Sequence, residues 1–370
     1  MEIFVLRLIL LTWRNKMEKR IMRIFSVILG CVMVVCVGLL MGISDIHYKS
    51  EVLAKDIQKS REYRQSLKDR MRDEIANAEE LASFADKGQI RIALPKGVSE
   101  SDIKLNEDIM NYEYQVVIPN VNDEYFDNNP IMGSVSRIDD FFAYEDDSKG
   151  YFDIKLNGIY DCRHLVEGDY LYLDFEEPHK LYDSVVVIDA GHGGKDVGAI
   201  QGNYNEKDID LDIVLKLKEL LDNDSSIKAY YTRLSDTNPT LEERVKLSNE
   251  VGADVFLSVH NNSLSGFGSA TTSGTQVLYY VSDSSGNSKT FADICLNNLC
   301  SYLGSDNRGL VNGDDIYIIH NSKSPVALVE IGFLSNQSDL RKLLNEDYQR
   351  TCAKALYDSI KEMISKTYKE

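Results

Sequence analysis

Apolar and polar positions follow four successive rhythms along this chain. From Ile24 to Ile43 it runs 20 residues without a charge, through VILGCVMVVCVGLL. At 1.5 Å rise per residue a helix of that length spans about 30 Å, the thickness of a bilayer's hydrocarbon core. From 44 to 88 the chain is polar, with Leu67, Met71, Ile75, Ala78 and Leu81 at helical spacing, which predicts a charged helix with one narrow apolar stripe. From 89 to 183 short aromatic and β-branched runs (IRIAL, YEYQVVIP, GYFDIKL, YLYLDF) are punctuated by Pro95-Lys96-Gly97, Asn128-Asn129-Pro130 and Asp147-Ser148-Lys149-Gly150, the pattern of a small β-sandwich or meander.

The fourth rhythm, from Ser184 to the end, alternates strands with helices. SVVVID is a continuous apolar run, as expected of a strand buried on both faces of a parallel sheet. Glu206 to Leu221 places Ile209, Ile213, Leu217 and Leu220 on one helical face. Ala229 to Thr232 reads as a short strand, and Thr240-Leu-Glu-Glu243 as a capping box opening a helix through about Glu250. ADVFLSVH, TQVLYYV and PVALVEIGFL read as strands, Phe291 to Leu303 as a helix, and Asp339 to Lys366 as closing helices. The fold expected of 184–370 is α/β, an open mostly parallel sheet flanked by helices.

Charge orients the front of the chain. The first 23 residues hold Arg7, Arg14, Lys16, Lys19, Arg20 and Arg23 against Glu2 and Glu18, and Asp45 follows the apolar run. Residues 1–23 are therefore expected in the cytoplasm, 24–43 as a single transmembrane anchor, and everything after it outside the cytoplasm. A cleaved signal peptide is the alternative, but the apolar region is long for one and no A-x-A-like site follows it. Met17 offers a second start, with the basic leader MEKRIMR. The helix of 44–88 suits a stalk, either self-associating with a second copy or solvated alone.

Composition narrows the partners. The chain has 41 bases against 59 acids, net −18, which argues against nucleic acid or an anionic lipid surface as the main partner. Residues 90–183 hold 8 bases and 21 acids, so most of the excess lies in the β-rich module. Its lead IRIALPKGVSESDIKL somewhat resembles the AMIN domain, a β-sandwich that localises cell-wall amidases. His164 and His179 are isolated there and read as surface residues. Six cysteines without CxxC spacing make neither a disulfide scaffold nor a zinc finger.

Ligands of open α/β sheets bind beyond the carboxyl ends of the strands. Ala190-Gly191-His192-Gly193-Gly194 follows the first strand, His260-Asn261-Asn262 the third, and Glu330 ends PVALV, while Glu206 opens the first helix. Imidazoles and a carboxylate with an open fourth position form a catalytic zinc set. Each group also has a bland reading: a tight turn for His192, a satisfied core histidine for His260, a helix-start carboxylate for Glu206. Glu330, among apolar neighbours, is the strongest hint, because an ionised carboxylate there is costly without a partner. The spacings of 14 and 54 residues between His192, Glu206 and His260 match no HExxH-type motif. A P-loop is excluded because Gly194-Lys195 is followed by Asp196, and no GxSxG occurs. His320, in IYIIHN, reads as structural.

VVVIDAGHGGKDVGA, NEKDIDLDIVLKLKELL, YYTRLSDTNPTLEERVKLSN, ADVFLSVHNN, SGTQVLYY and PVALVEIGFLSNQSD resemble, in order and spacing, the zinc-dependent N-acetylmuramoyl-L-alanine amidases of the type-3 family. The resemblance covers about Ser184 to Lys366. It implies Zn²⁺ ligands at His192, Glu206 and His260 and a catalytic glutamate at Glu330. It also implies a substrate, the amide joining N-acetylmuramic acid to L-alanine in peptidoglycan, hydrolysed by zinc-activated water with Glu330 as general base. The family's Arg-Gly and His-x-Asn neighbourhoods point to Arg308 and Asn262 as substrate contacts; Arg233 and Arg244 read equally as structural. Ser282 to Lys289 leave no room for the helix that plugs the zinc site in some members, so the domain is expected to be open. Rival readings are an inactive peptidoglycan-binding scaffold and a zinc peptidase acting on another envelope peptide. With no wall-binding repeats after the catalytic domain, retention at the wall is expected to fall to the anchor, the stalk and the β-rich module.

Overall fold

Antiparallel pairing dominates the first part of the computed structural model, which describes residues 87–122, 124–134, 136–265 and 270–367. The expected cytoplasmic segment, the anchor and nearly all of the stalk lie outside the described residues. Among the described residues no helix is long and apolar enough to cross a membrane.

Eight strands form the β-rich module: β1 (Ile90–Ala93), β2 (Lys104–Asp108), β3 (Glu113–Pro119), β4 (Met132–Gly133), β5 (Ile138–Asp146), β6 (Lys149–Leu156), β7 (Asp161–Glu167) and β8 (Tyr170–Glu176). They make two four-stranded sheets, ordered β4-β1-β8-β7 and β2-β3-β6-β5. Strict alternation in β3 and β6 buries Tyr114, Val116, Ile118, Phe152 and Ile154 on one face, as a half-buried antiparallel sheet requires. The other sheet supplies Ile90, Ile92, Leu171, Leu173 and Phe175 to the interior. Tyr114 and Phe175 meet edge-on across the two sheets, ring centroids 5.3 Å apart.

The second part is a six-stranded sheet of β9 (Ser184–Ala190), β12 (Ile227–Tyr231), β13 (Val255–Asn262), β14 (Thr275–Tyr279), β15 (Asn307–Asn312) and β16 (Val326–Phe333), with β10 (Ile200–Gln201) and β11 (Tyr204–Asn205) as a separate hairpin. Its order is β12-β9-β13-β16-β14-β15. Every neighbouring pair is parallel except β14 with β16, so the mostly parallel sheet expected from the sequence carries one reversed connection. All seven residues of β9 are buried, because helices cover both faces. Val186, Ile188 and Ala190 pack with the helices Glu206–Leu221, Asn287–Leu303 and Glu346–Thr367. Val185 and Val187 pack on the other side with the helix Leu241–Val251.

That other side also receives the β-rich module. Ile109, Met110, Tyr112 and Ile159 join the cluster of Val185, Val187, Tyr230 and Val245. Tyr230 donates to buried Asp161 at 2.7 Å, Lys228 pairs with the same carboxylate at 2.5 Å, and Tyr112 donates to Glu250 at 2.6 Å.

The local signals hold. Thr240 caps its helix with both halves of the capping box formed, and Gly252 ends it at φ 65°. The helix Glu206–Leu221 buries Ile209, Ile213 and Leu217 as expected, while Leu221 rather than the half-buried Leu220 completes the buried face. The strand β15 was not predicted, since NRGLVN has neither an apolar run nor alternation. His320 is exposed at the end of the short helix Tyr317–His320, its ring against Tyr280.

Candidate metal centre

Parallel pairing of β9, β13 and β16 brings their carboxyl ends side by side, and the first helix starts over them. Gly191 lets the loop after β9 cross close above β13: a Cβ there would stand 2.3 Å from the His260 ring. His192 follows at φ 59°. An L-residue in that region costs roughly 1–2 kcal/mol, so the position is held by its surroundings.

Three side chains converge. His192 Nε2 lies 3.2 Å from Glu206 Oε2, and His260 Nδ1 lies 3.0 Å from Glu206 Oε1. The two imidazoles meet edge-on, centroids 4.8 Å apart. Backbone N–H groups of Ala199 and Asn261 donate to the two Glu206 oxygens at 2.8 and 3.1 Å. Asp196 Oδ2 stands 3.0 Å from His192 Nδ1, an ion-pair contact in which Nδ1 makes no hydrogen bond. Gly198 permits this closeness, since a Cβ there would stand 2.6 Å from Glu206 Oε2.

The electrostatics follow from burial and pairing. Burial opposes ionisation of Glu206, but hydrogen bonds and charge from His192 and His260 outweigh it and hold the carboxyl well below its usual range. Burial likewise disfavours charge on His192, yet Glu206 and Asp196 raise its pKa to about 9. Glu330 is paired in register with His260 on the adjacent strand. Burial pushes its carboxyl up to about 7, and its Oε2 is buried without a hydrogen-bond partner.

Nitrogen and oxygen donors at about 2.0–2.1 Å from a tetrahedral zinc ion stand roughly 3.3 Å apart. The separations of 3.2 and 3.0 Å, made to the two different oxygens of Glu206, are of that order. A wider group of four, His192, Glu206, Asp210 and His260, offers ligand atoms all within 4.8 Å of one another.

Asp210 did not emerge from the sequence. It lies four residues after Glu206, hence on the same helical face, and that spacing is the signal that could have found it. It is fully buried, and burial together with Glu206 pushes its carboxyl well above the usual range. Its Oδ1 accepts from Asn261 Nδ2 at 2.8 Å.

Other sequence-selected residues fall at different distances from this cluster. Asn262 closes β13 two residues beyond His260, and its carbonyl accepts from Leu334. Arg308 is exposed on β15, at the far edge of the sheet, with its guanidinium over the Phe333 ring. Arg233 and Arg244 are buried and bonded to the backbone around His192. His179 bonds the Gly252 carbonyl at 2.7 Å and His164 pairs with Glu100, both away from the cluster. Between β14 and the helix Asn287–Leu303 the chain turns through Val281 and Ser282, tied to Asp314; among the described residues no helix plugs the site there.

The family described as N-acetylmuramoyl-L-alanine amidase matches residues 186–362. "Uncharacterized protein YqiI" of Bacillus subtilis (strain 168) is 40% identical over 47% of this chain and 82% of its own length. The "Germination-specific N-acetylmuramoyl-L-alanine amidase" of the same organism is 30% identical over 49% of this chain and 79% of its own length. Among solved structures, the catalytic domain of CwlV, an N-acetylmuramoyl-L-alanine amidase from Bacillus (Paenibacillus) polymyxa var. colistinus, aligns over 49% of this chain and 98% of its own. That alignment has 35% identity and a TM-score of 0.46. By its matched region and its relatives, this chain belongs to the N-acetylmuramoyl-L-alanine amidase family.

Proposed function

We propose that the chain hydrolyses the amide between N-acetylmuramic acid and L-alanine in peptidoglycan, with Zn²⁺ held by His192, Glu206 and His260 and Glu330 as general base. One observation carries the reading: two imidazoles gathered on one carboxylate, with the Glu330 carboxyl on the adjacent strand and its Oε2 buried without a hydrogen-bond partner. When bound, the ion supplies Lewis-acid polarisation of the scissile carbonyl and lowers the pKa of the attacking water.

The chain's own groups do the rest. Asp196 sets a carboxylate beside the ring of His192, and the Ala199 and Asn261 amides orient Glu206. Glu330, with a pKa near the working pH, takes a proton from water and returns it to the leaving amine. Asn238, Thr240 and Leu241 line the cleft over His192 and His260, where the substrate would lie. Asn262 and Arg308 are proposed as further substrate contacts.

The reading extends to location. Residues 24–43 would anchor the chain as a single-pass membrane protein, with 44–88 as a stalk able to self-associate and the AMIN-like module and catalytic domain on the cell-wall side. The basic residues before the apolar run and Asp45 after it support that orientation.

The test is to incubate the purified full chain with peptidoglycan, with and without a zinc chelator, and identify products by mass. Free stem peptides with an L-alanine amine, lost on chelation and restored by Zn²⁺, are expected. Zinc bound without cleavage would favour a scaffold, and cleavage within the stem would favour a peptidase.

A further inference from the structure

Two buried guanidiniums surround the backbone of the His192 loop, and simple burial does not explain where they point. Arg233 Nε donates to the Ala190 carbonyl at 2.9 Å, and its Nη2 to Gly191 at 2.6 Å and to Lys207 at 2.8 Å. Arg244 Nη1 donates to Ala190 at 2.7 Å and to Asp189 Oδ1 at 2.5 Å, while its Nη2 donates to the His192 carbonyl at 2.6 Å. Three consecutive carbonyls, 190 to 192, are thus gripped from inside the protein. Lys207 directly follows Glu206, so Arg233 also ties the loop to the first turn of the Glu206–Leu221 helix.

We infer that Arg233 and Arg244 are positioning residues for the metal centre: their forks fix the backbone from which His192 and Glu206 reach the ion. The inference rests on the zinc reading above and deepens it. His192 sits at φ 59°, a conformation that L-residues seldom hold unaided. Hydrogen bonds to the carbonyls on both sides of that residue hold it there. A guanidinium can serve several carbonyls in one plane, and an ammonium at the same depth cannot. Arg244 is itself fixed by Asp189, which also accepts from Thr232 and Ser258 at 2.6 Å each. The geometry of the loop is thereby referred to the carboxyl end of β9, within the sheet.

The experiment compares the purified full chain with its Arg233→Lys and Arg244→Lys variants, each stripped of metal. Zn²⁺ affinity is measured by competition with a chromophoric chelator, and the visible absorption of bound Co²⁺ reports ligand geometry. Asp224→Ala serves as control: it removes the anchor of Tyr357 and Lys361, elsewhere in the fold, and destabilises without touching the loop. A loss of about 10- to 100-fold in Zn²⁺ affinity is expected for both arginine variants, with an altered Co²⁺ spectrum and retained far-UV circular dichroism. The control should bind as the parent does. Parent-like affinity and spectrum in both lysine variants would overturn the inference, as would an equal loss in the control. Failure of both variants to fold would mark the arginines as core groups and overturn it too. A parent chain that binds no Zn²⁺ would remove the metal reading itself, a distinct result seen before any variant is made.

Discussion

Replacing Glu330 by Gln removes the proposed base while keeping shape and volume. Losing a positioned general base typically lowers turnover by about 10²–10⁴-fold, and none of the three proposed metal ligands is touched, so zinc content should stay at the parental level. The structure adds a second effect of opposite sign. Burial raises the Glu330 carboxyl from its ordinary 4.5 to about 7. Between those values the folded chain binds more protons than the unfolded one, so in the metal-free protein stability falls as pH rises through the window. The cost is absent below 4.5 and complete above 7, where it amounts to about 3 kcal/mol at 1.36 kcal/mol per pH unit. Glutamine carries no such cost. In chelator, Glu330→Gln should therefore unfold at a higher temperature than the parent at pH 8, and the difference should vanish near pH 4. Activity is read as stem peptide released from peptidoglycan, and stability by thermal melts at both pH values. Near-parental turnover would refute the assignment of the base. A variant less stable than the parent at pH 8 would refute the account of its burial.

Zinc must displace the proton that Glu206 and Asp196 hold on His192 up to about pH 9, so Zn²⁺ affinity should rise about tenfold per pH unit between 7 and 9; a flat titration would contradict this. Asp210→Asn should leave zinc content unchanged and raise the melting temperature at neutral pH, because burial already disfavours the charged carboxylate. Loss of zinc in that variant would instead make Asp210 a ligand. Tyr230→Phe deletes the hydrogen bond to buried Asp161 that joins the β-rich module to the sheet, and should cost about 1–3 kcal/mol in urea unfolding. An unchanged midpoint would mean that this contact adds nothing to the union of the two.

Residues that face one another across the fold were less legible than residues whose neighbours are local. The capping box Thr240–Glu243 is complete within four residues and formed as read. Asp189 closes an apolar run and gives no sign in the sequence that Thr232, Arg244 and Ser258 meet on it. In the sequence Arg233 and Arg244 read equally well as substrate contacts or structural residues; only the fold sets the carbonyls of 190–192 against them. The packing of Ile109, Met110 and Tyr112 against the cluster that holds Val185 and Val187 left no periodic mark either, because it joins distant segments of the chain.

From the sequence alone came the strand–helix alternation, the position of His192, Glu206, His260 and Glu330 at element ends, and the family resemblance. Those features follow from hydrophobic period, turn chemistry and the rule that ligands collect at strand carboxyl ends. Tertiary structure decided the rest: the reversal of β14 against β16, the approach of His192 and His260 to Glu206 at 3.2 and 3.0 Å, and the presence of Asp210 in the same group. The reason is physical. Period and propensity act along the chain, whereas a pKa, a ligand distance and the hold on a strained backbone depend on groups that only packing brings together.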